Sequence, residues 1–366
     1  MKKILLLVLL GSMALATAWA DKTVKADDPQ VSYTGRVQKS GDGSVRYDWV
    51  GTYWQTDFTG GRIAINVSEK GESYHNVFID GQLVRKIRIT GSESHRVVLA
   101  DRLGKGTHRL MLQKCTEGEY GCVTLHSIEV ADGARLQAVP ARDRMIEVYG
   151  DSYTCGYGTE GMSAEEPFRL GTENCNLAYA CIMARYFNAD YSLVAHSGQG
   201  MVRDWGDTLQ VSRQSMSTRY THVFDDEAPV DYDFATRRPD IVIINLGTND
   251  YSPGNIPDVA QYVGAYTKMI ATLTRHYGEV PILCITPHSA NAYLRAAIGE
   301  LGRAVAAMKH VHLAQPMPDI VVYGRDLGSD WHPNYQGQVK IAMTLIPQVA
   351  ALTGWSLTPG KGLWGW

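Results

Sequence analysis

The chain has 366 residues, 45% hydrophobic and 20% charged, the balance of a folded globular protein rather than a disordered or fibrous one. At ordinary domain sizes this length allows about two or three domains, each able to bury a core of its own. The formal net charge is -3, which gives no reason to expect nucleic acid or an anionic membrane as partner.

In chain order, the first unit is a leader. Lys2 and Lys3 precede an apolar run over residues 4–16, and Ala18-Trp19-Ala20 has the small-x-small form of a cleavage site. The run is short for a membrane span, no cysteine follows it as a lipid anchor would require, and no later stretch is apolar enough to span. Residues 1–20 are therefore expected to be an export signal, leaving a secreted or periplasmic chain that begins near Asp21. Loss of the two lysines would take the charge from -3 to -5.

Export permits disulfides among the six cysteines. Cys115 and Cys122 could close a hairpin, and Cys155 and Cys175 could pin the loop between them. Cys181 falls on an expected helix and Cys284 in an expected strand, where buried free thiols are common. There is no CxxC pair, so neither a zinc site nor a redox centre is expected.

Residues 31–136 show short alternating strands between Gly, Asp and Ser turns, for example 62–67, 75–79 before Asp80-Gly81, and 108–112. This rhythm predicts an antiparallel jelly-roll sandwich over residues 21–139. It changes near Pro140. Strands are expected at 145–149, 241–246 and 281–285, and helices at 176–187, 259–276, 290–308 and 337–352. Such alternation predicts a parallel sheet covered by helices on both faces over residues 140–355, with 356–366 as a C-terminal extension.

Three local signals fall at carboxyl ends of the expected strands or in loops on that side, where open parallel sheets bind ligands. Gly150-Asp151-Ser152-Tyr153 follows the first strand and could present the Ser152 hydroxyl above the sheet. Gly247-Thr248-Asn249-Asp250 follows the 241–246 strand and offers the Asn249 amide to a developing oxyanion. Asp330-Trp331-His332-Pro333 precedes the last helix and offers a base for the serine. Taken singly, each is ordinary turn chemistry. Their order and placement together point to nucleophilic catalysis.

These blocks resemble the SGNH hydrolase superfamily, also called GDSL-type esterases. The resemblance implies Ser152 as nucleophile and His332 as base, with no metal or cofactor needed. It implies an oxyanion hole from the N–H groups of Ser152 and Gly198 with the Asn249 side chain; Gly200 is the lesser alternative to Gly198 in the block Ser197-Gly198-Gln199-Gly200. The superfamily's orienting carboxylate stands three residues before the histidine, where this chain has Ser329. Asp330 is favoured for that role, and a backbone carbonyl is the alternative.

The order sandwich then SGNH domain is similar to carbohydrate esterase family 2. The similarity rests on Gly35-Arg36, Asp48-Trp49-Val50-Gly51, Asp80-Gly81, the run Thr154-Cys155-Gly156-Tyr157-Gly158 and Asp330-Trp331-His332-Pro333. It implies removal of O-acetyl groups from polysaccharides or oligosaccharides such as xylan and glucomannan. Trp331 could stack on a pyranose ring, with Tyr153 and Tyr157 as weaker candidates. Trp49 or Trp54 would support a glycan-binding sandwich if exposed. Another acyl ester as substrate, or a noncatalytic carbohydrate-binding role, are the competing readings.

Overall fold

The computed structural model describes residues 21–358; the expected leader and the end of the C-terminal extension lie outside them. Eleven antiparallel strands occupy the chain from Asp21 to Gln137, in two sheets that share one strand, Ile63–Ile79. The first part of this strand pairs with Gly121–Ala131 and His95–Ala100, and the later part with Gln82–Thr90 and His108–Lys114. Two separate strands, 62–67 and 75–79, were expected here. The backbone instead runs through Gly71 at φ 103°, where an added Cβ would lie 2.2 Å from the Tyr120 carbonyl oxygen. Only glycine fits that crossing between sheets.

Between the sheets lies an apolar core that includes Trp54, Phe58, Ile65, Leu110 and Leu125. Trp49 and Trp54 are both fully buried, which removes the exposed-tryptophan argument for a glycan-binding sandwich.

The second half is a five-stranded parallel sheet. Its spatial order is Asp190–Ala195, Met145–Gly150, Ile241–Asn245, Ile282–Cys284 and Val311–Leu313. Helices Tyr179–Phe187 and Tyr335–Thr353 cover one face, while Val259–Tyr277 and Ala292–Val305 cover the other. The chain goes first from Met145–Gly150 to the edge strand, then crosses back to Ile241–Asn245. The topological switch point therefore lies between these two central strands, where open α/β sheets form their sites.

Buried polar contacts tie the halves together. The fully buried Arg36 guanidinium donates to the carbonyls of Tyr220 (2.6 Å) and His222 (2.8 Å) and lies 3.4 Å from Glu147. Asp48 accepts the N–H groups of Asp225 and Asp226 at 2.8 and 3.0 Å. Two of the motifs that carry the family resemblance are thus interdomain fasteners.

Candidate active site

Gly150 pairs in register with Ala195 on one side and Asn245 on the other, so three strand ends open onto one surface. After Gly150 the chain enters a one-turn helix, Ser152–Cys155, capped by Asp151, whose carboxylate accepts the Tyr153 N–H at 3.1 Å. A Cβ at residue 150 would meet Thr154 Oγ1 at 2.0 Å, so the turn requires glycine. Ser152 is the first residue of this helix, and its N–H is among those with no intrahelical acceptor.

Ser152 Oγ lies 2.8 Å from His332 Nε2, and His332 Nδ1 lies 2.7 Å from the main-chain oxygen of Asp330. A carbonyl can only accept, so Nδ1 carries the proton and Nε2 presents its lone pair to the serine hydroxyl. Burial lowers the His332 pKa below its ordinary value, against the opposing pull of the Asp330 carbonyl and carboxylate. The imidazole is therefore neutral near pH 7, as a base must be.

The preference for the Asp330 carboxylate as orienting group is corrected: the residue meets His332 through its backbone. Asp330 (φ 52°, ψ 45°) and Trp331 (φ 62°) are consecutive left-handed residues, a conformation that costs about 1–2 kcal/mol per non-glycine residue. The post-nucleophile loop imposes it. The N–H groups of Ser329, Asp330 and Trp331 donate to the carbonyls of Gly158, Glu166 and Ala164 at 3.2, 2.8 and 3.1 Å. The turn aims the Asp330 carbonyl at the imidazole and its carboxylate at the Tyr157 hydroxyl, 3.3 Å away. Ser329, at the position the superfamily gives to a carboxylate, is buried and donates to Thr172 Oγ1 at 3.3 Å.

Asn249 is buried, and its Nδ2 donates to the Gln199 carbonyl at 2.8 Å, which joins the third block to the second. Asp250 strengthens the junction by accepting the N–H groups of Met201, Val202 and Arg203 at 2.7, 2.7 and 3.1 Å. Of the two glycines in the second block, Gly200 serves packing, since a Cβ there would sit 2.3 Å from Asp250 Oδ2. At Gly198, with φ 75°, an added Cβ would stand in open space, so glycine there serves the left-handed backbone rather than packing.

Sequence reasoning missed the support beneath this loop, which comes from the antiparallel half. Glu117 accepts the Ser197 N–H at 2.5 Å and the Cys155 thiol at 3.3 Å, so one carboxylate touches both the loop of residues 197–200 and the helix Ser152–Cys155. His196 lies between Asp225 (2.9 Å) and Glu119 (3.4 Å). Burial opposes a charge on His196, but these carboxylates outweigh it and raise its pKa well above the ordinary value. Burial and the nearby Glu117 push the Glu173 carboxyl well up, and burial raises Glu117 as well, which accepts the Ser197 N–H. Among the described residues, Glu117, Cys155 and Glu173 are the set close enough to ligate a metal. Burial holds the Cys155 thiol pKa well above its ordinary value. No sequence spacing marks Glu117, Glu119, Glu173 and Asp225, which come from three distant loops.

All six cysteines are free and buried, so neither suggested disulfide is present. Cys115 Sγ donates toward the Gln113 carbonyl (3.8 Å), and Cys122 packs with Val223 and Phe224. The candidate aromatic residues divide into two groups. Tyr157 stacks on Phe168 (3.8 Å between centroids) and lies 4.4 Å from the His332 ring, while Tyr153 meets that ring edge-on at 5.8 Å. Both therefore wall the histidine. Trp331 is 58% exposed and stacked on the exposed Tyr323, and Trp205, whose N–H donates to the Gly198 carbonyl at 2.7 Å, is 68% exposed.

Comparison with known proteins agrees with this geometry. Residues 33–140 match the model of the carbohydrate esterase 2 N-terminal domain, and residues 148–340 match the GDSL-like lipase/acylhydrolase family. The chain is 29% identical over 345 residues to the cellulase/esterase CelE of Acetivibrio thermocellus; the match covers 91% of this chain and 41% of that protein. The chain thus spans about two-fifths of that relative's length. It is 27% identical over 338 residues to an acetylxylan esterase/glucomannan deacetylase of Cellvibrio japonicus, covering 91% of this chain and 92% of that one. A family two carbohydrate esterase from Clostridium thermocellum, solved in complex with cellohexaose, superposes with a TM-score of 0.81 at 28% identity, covering 89% of this chain and 100% of that one. With its second half matched over the whole Ser152-to-His332 span, the chain belongs to the GDSL-like lipase/acylhydrolase family, in the arrangement of the family 2 carbohydrate esterases.

Proposed function

We propose that this chain is an exported serine esterase that removes O-acetyl groups from plant polysaccharides or oligosaccharides such as xylan and glucomannan, with Ser152 as nucleophile and His332 as base. The observation that carries the reading is the 2.8 Å contact between Ser152 Oγ and His332 Nε2 at the switch point of the sheet. Ser152 Oγ attacks the acetyl carbonyl carbon as its proton passes to His332 Nε2. The oxyanion is stabilised by the N–H groups of Ser152 and Gly198 and by the Asn249 amide. The intermediate collapses, the bond to the sugar oxygen breaks, and His332 returns the proton to that oxygen. Water, deprotonated by the same imidazole, then attacks the acetyl-serine and releases acetate. The Asp330 carbonyl holds the imidazole tautomer throughout, making the catalytic unit a Ser–His dyad.

A small acyl group and a sugar alcohol suit the surroundings. Trp331, next to the base in sequence, and Tyr323 stacked on it are exposed aromatic surface on which pyranose rings could stack. Names of the relatives supply the substrate class: one acts on acetylated xylan and glucomannan, and another was solved with a linear glucan oligosaccharide. Acetate release from acetylated xylan and acetylated glucomannan, measured beside hydrolysis of p-nitrophenyl acetate and a long-chain p-nitrophenyl ester, tests the proposal. The polysaccharides and the acetyl ester should be preferred; preference for the long chain would overturn it.

A further inference from the structure

A second concave site lies at the other end of the molecule's central strands. A groove of about 400 Å³ opens where the antiparallel half meets the amino ends of Met145–Gly150 and Asp190–Ala195, whereas Ser152 sits past their carboxyl ends. Tyr53, Tyr191 and Met111 contribute an apolar floor, the two rings 5.3 Å apart and tilted by 45°. Both halves of the protein contribute walls, and junctions of this kind are common ligand sites.

The charge of the groove is not balanced. Three guanidiniums line it against one carboxylate, Asp80, a net of two positive charges. Asp80 is occupied by His108 Nδ1 at 2.8 Å and by the Arg109 N–H at 2.8 Å, and Arg109 is itself neutralised by Asp57 at 2.7 Å. Arg185 is the uncompensated one, and Arg142 has only a share of a carboxylate. Arg185 Nη1 donates to the Asn176 backbone oxygen (2.8 Å) and Oδ1 (2.7 Å), both neutral acceptors, and among the described residues it has no carboxylate partner. Arg142 Nη1 donates to the Ala189 carbonyl, and its Nε is 3.8 Å from Asp190. Asp190 is already shared by the Tyr53 hydroxyl (2.7 Å), the Arg142 N–H (2.9 Å) and Arg237 Nη1 (2.6 Å).

One guanidinium without a carboxylate and a second that shares Asp190 with Arg237, beside an apolar floor and the side chains of Gln55, Asn176 and Asn188, suit a ligand with one carboxylate and several hydroxyls. We propose that this groove is a second binding site, separate from the catalytic one, for an acidic sugar: a uronate whose carboxylate meets Arg142 and Arg185. The requirement for a carboxylate rests on the groove alone; the expectation that the uronate belongs to a polysaccharide rests on the esterase reading above.

The test is calorimetric titration of the Ser152→Ala protein, which separates binding from turnover. The probes are glucuronate, a glucuronate-bearing xylo-oligosaccharide, a neutral xylo-oligosaccharide of equal length, and inorganic phosphate. The acidic sugars should bind at least tenfold more tightly than the neutral oligosaccharide and than phosphate. Arg142→Gln and Arg185→Gln, made separately so that one remains if the other fails to fold, should each weaken acidic-sugar binding tenfold or more, while Arg185→Lys retains part of it. Equal binding of acidic and neutral oligosaccharides, equal binding of phosphate and glucuronate, or acidic-sugar binding unchanged in both glutamine variants would each overturn the proposal. None of these results depends on whether acetyl esters are hydrolysed, so this proposal and the esterase reading fail separately.

Discussion

At the scale of single residues, the site turns on which atom of Asp330 meets His332. A carboxylate that orients a catalytic histidine is worth about 10⁴-fold in kcat when its charge is removed. Here the main-chain oxygen is the acceptor, so Asp330→Asn should leave kcat/KM within about threefold, asparagine also tolerating the left-handed backbone. Steady-state kinetics on p-nitrophenyl acetate decide this; a loss near the full carboxylate effect would restore the triad. The His332 pKa gives a second expectation. Activity needs the neutral imidazole, and burial lowers its pKa, so the acid limb of kcat/KM against pH should fall at a midpoint below 6.5, the ordinary histidine value. A midpoint above that value contradicts the assignment. Ser152, His332 and Asn249 were legible in the sequence because residue type, order and strand-end placement all coincide there. The Asp330 contact was not, because it depends on a φ of 52° imposed by carbonyls at Gly158, Ala164 and Glu166, and residue type does not encode that.

Among the elements, the loop that carries Gly118–Tyr120 supports the site from the antiparallel half. Its Glu117 holds the Ser197 N–H, one residue before Gly198. Removal of the acceptor should let the oxyanion loop shift, and misplacement by about 1 Å can cost 10²-fold. Glu117→Ala is therefore expected to lower kcat about 10- to 100-fold with KM within about twofold. Glu117→Gln, whose amide oxygen can still accept, should recover most of the rate. Equal losses in both variants, or a loss confined to KM, would argue against a positioning role. The same scale explains which strands could be read. Ile241–Asn245 announced itself by an unbroken Ile/Val run, and the helices from residue 259 onward by their periodicity. Asp190–Ala195 was missed because it opens Asp-Tyr-Ser, although all six residues are buried. Its polar groups find partners that only the tertiary structure supplies, such as Arg237 on Asp190.

Across the whole molecule, the two halves behave as one body because polar groups are buried between them. Arg36 is the clearest case: its loss strands Glu147, itself 3% exposed, without a counter-ion. Arg36→Ala should destabilise the protein by about 3–5 kcal/mol, read from urea unfolding, as expected for breaking a buried pair rather than a surface one. A change below about 1 kcal/mol would mean the interface does not depend on it. The same interface carries the support for the oxyanion loop, so catalysis by the parallel half depends on the antiparallel half being in place. The central claim is that Ser152 is the nucleophile, and the most direct measurement is covalent labelling by a serine-directed fluorophosphonate, located by peptide mass spectrometry. The account predicts one label per chain, on Ser152, formed in step with loss of acetyl-ester hydrolysis and absent from Ser152→Ala. A label on another residue, or undiminished hydrolysis by Ser152→Ala, would contradict it.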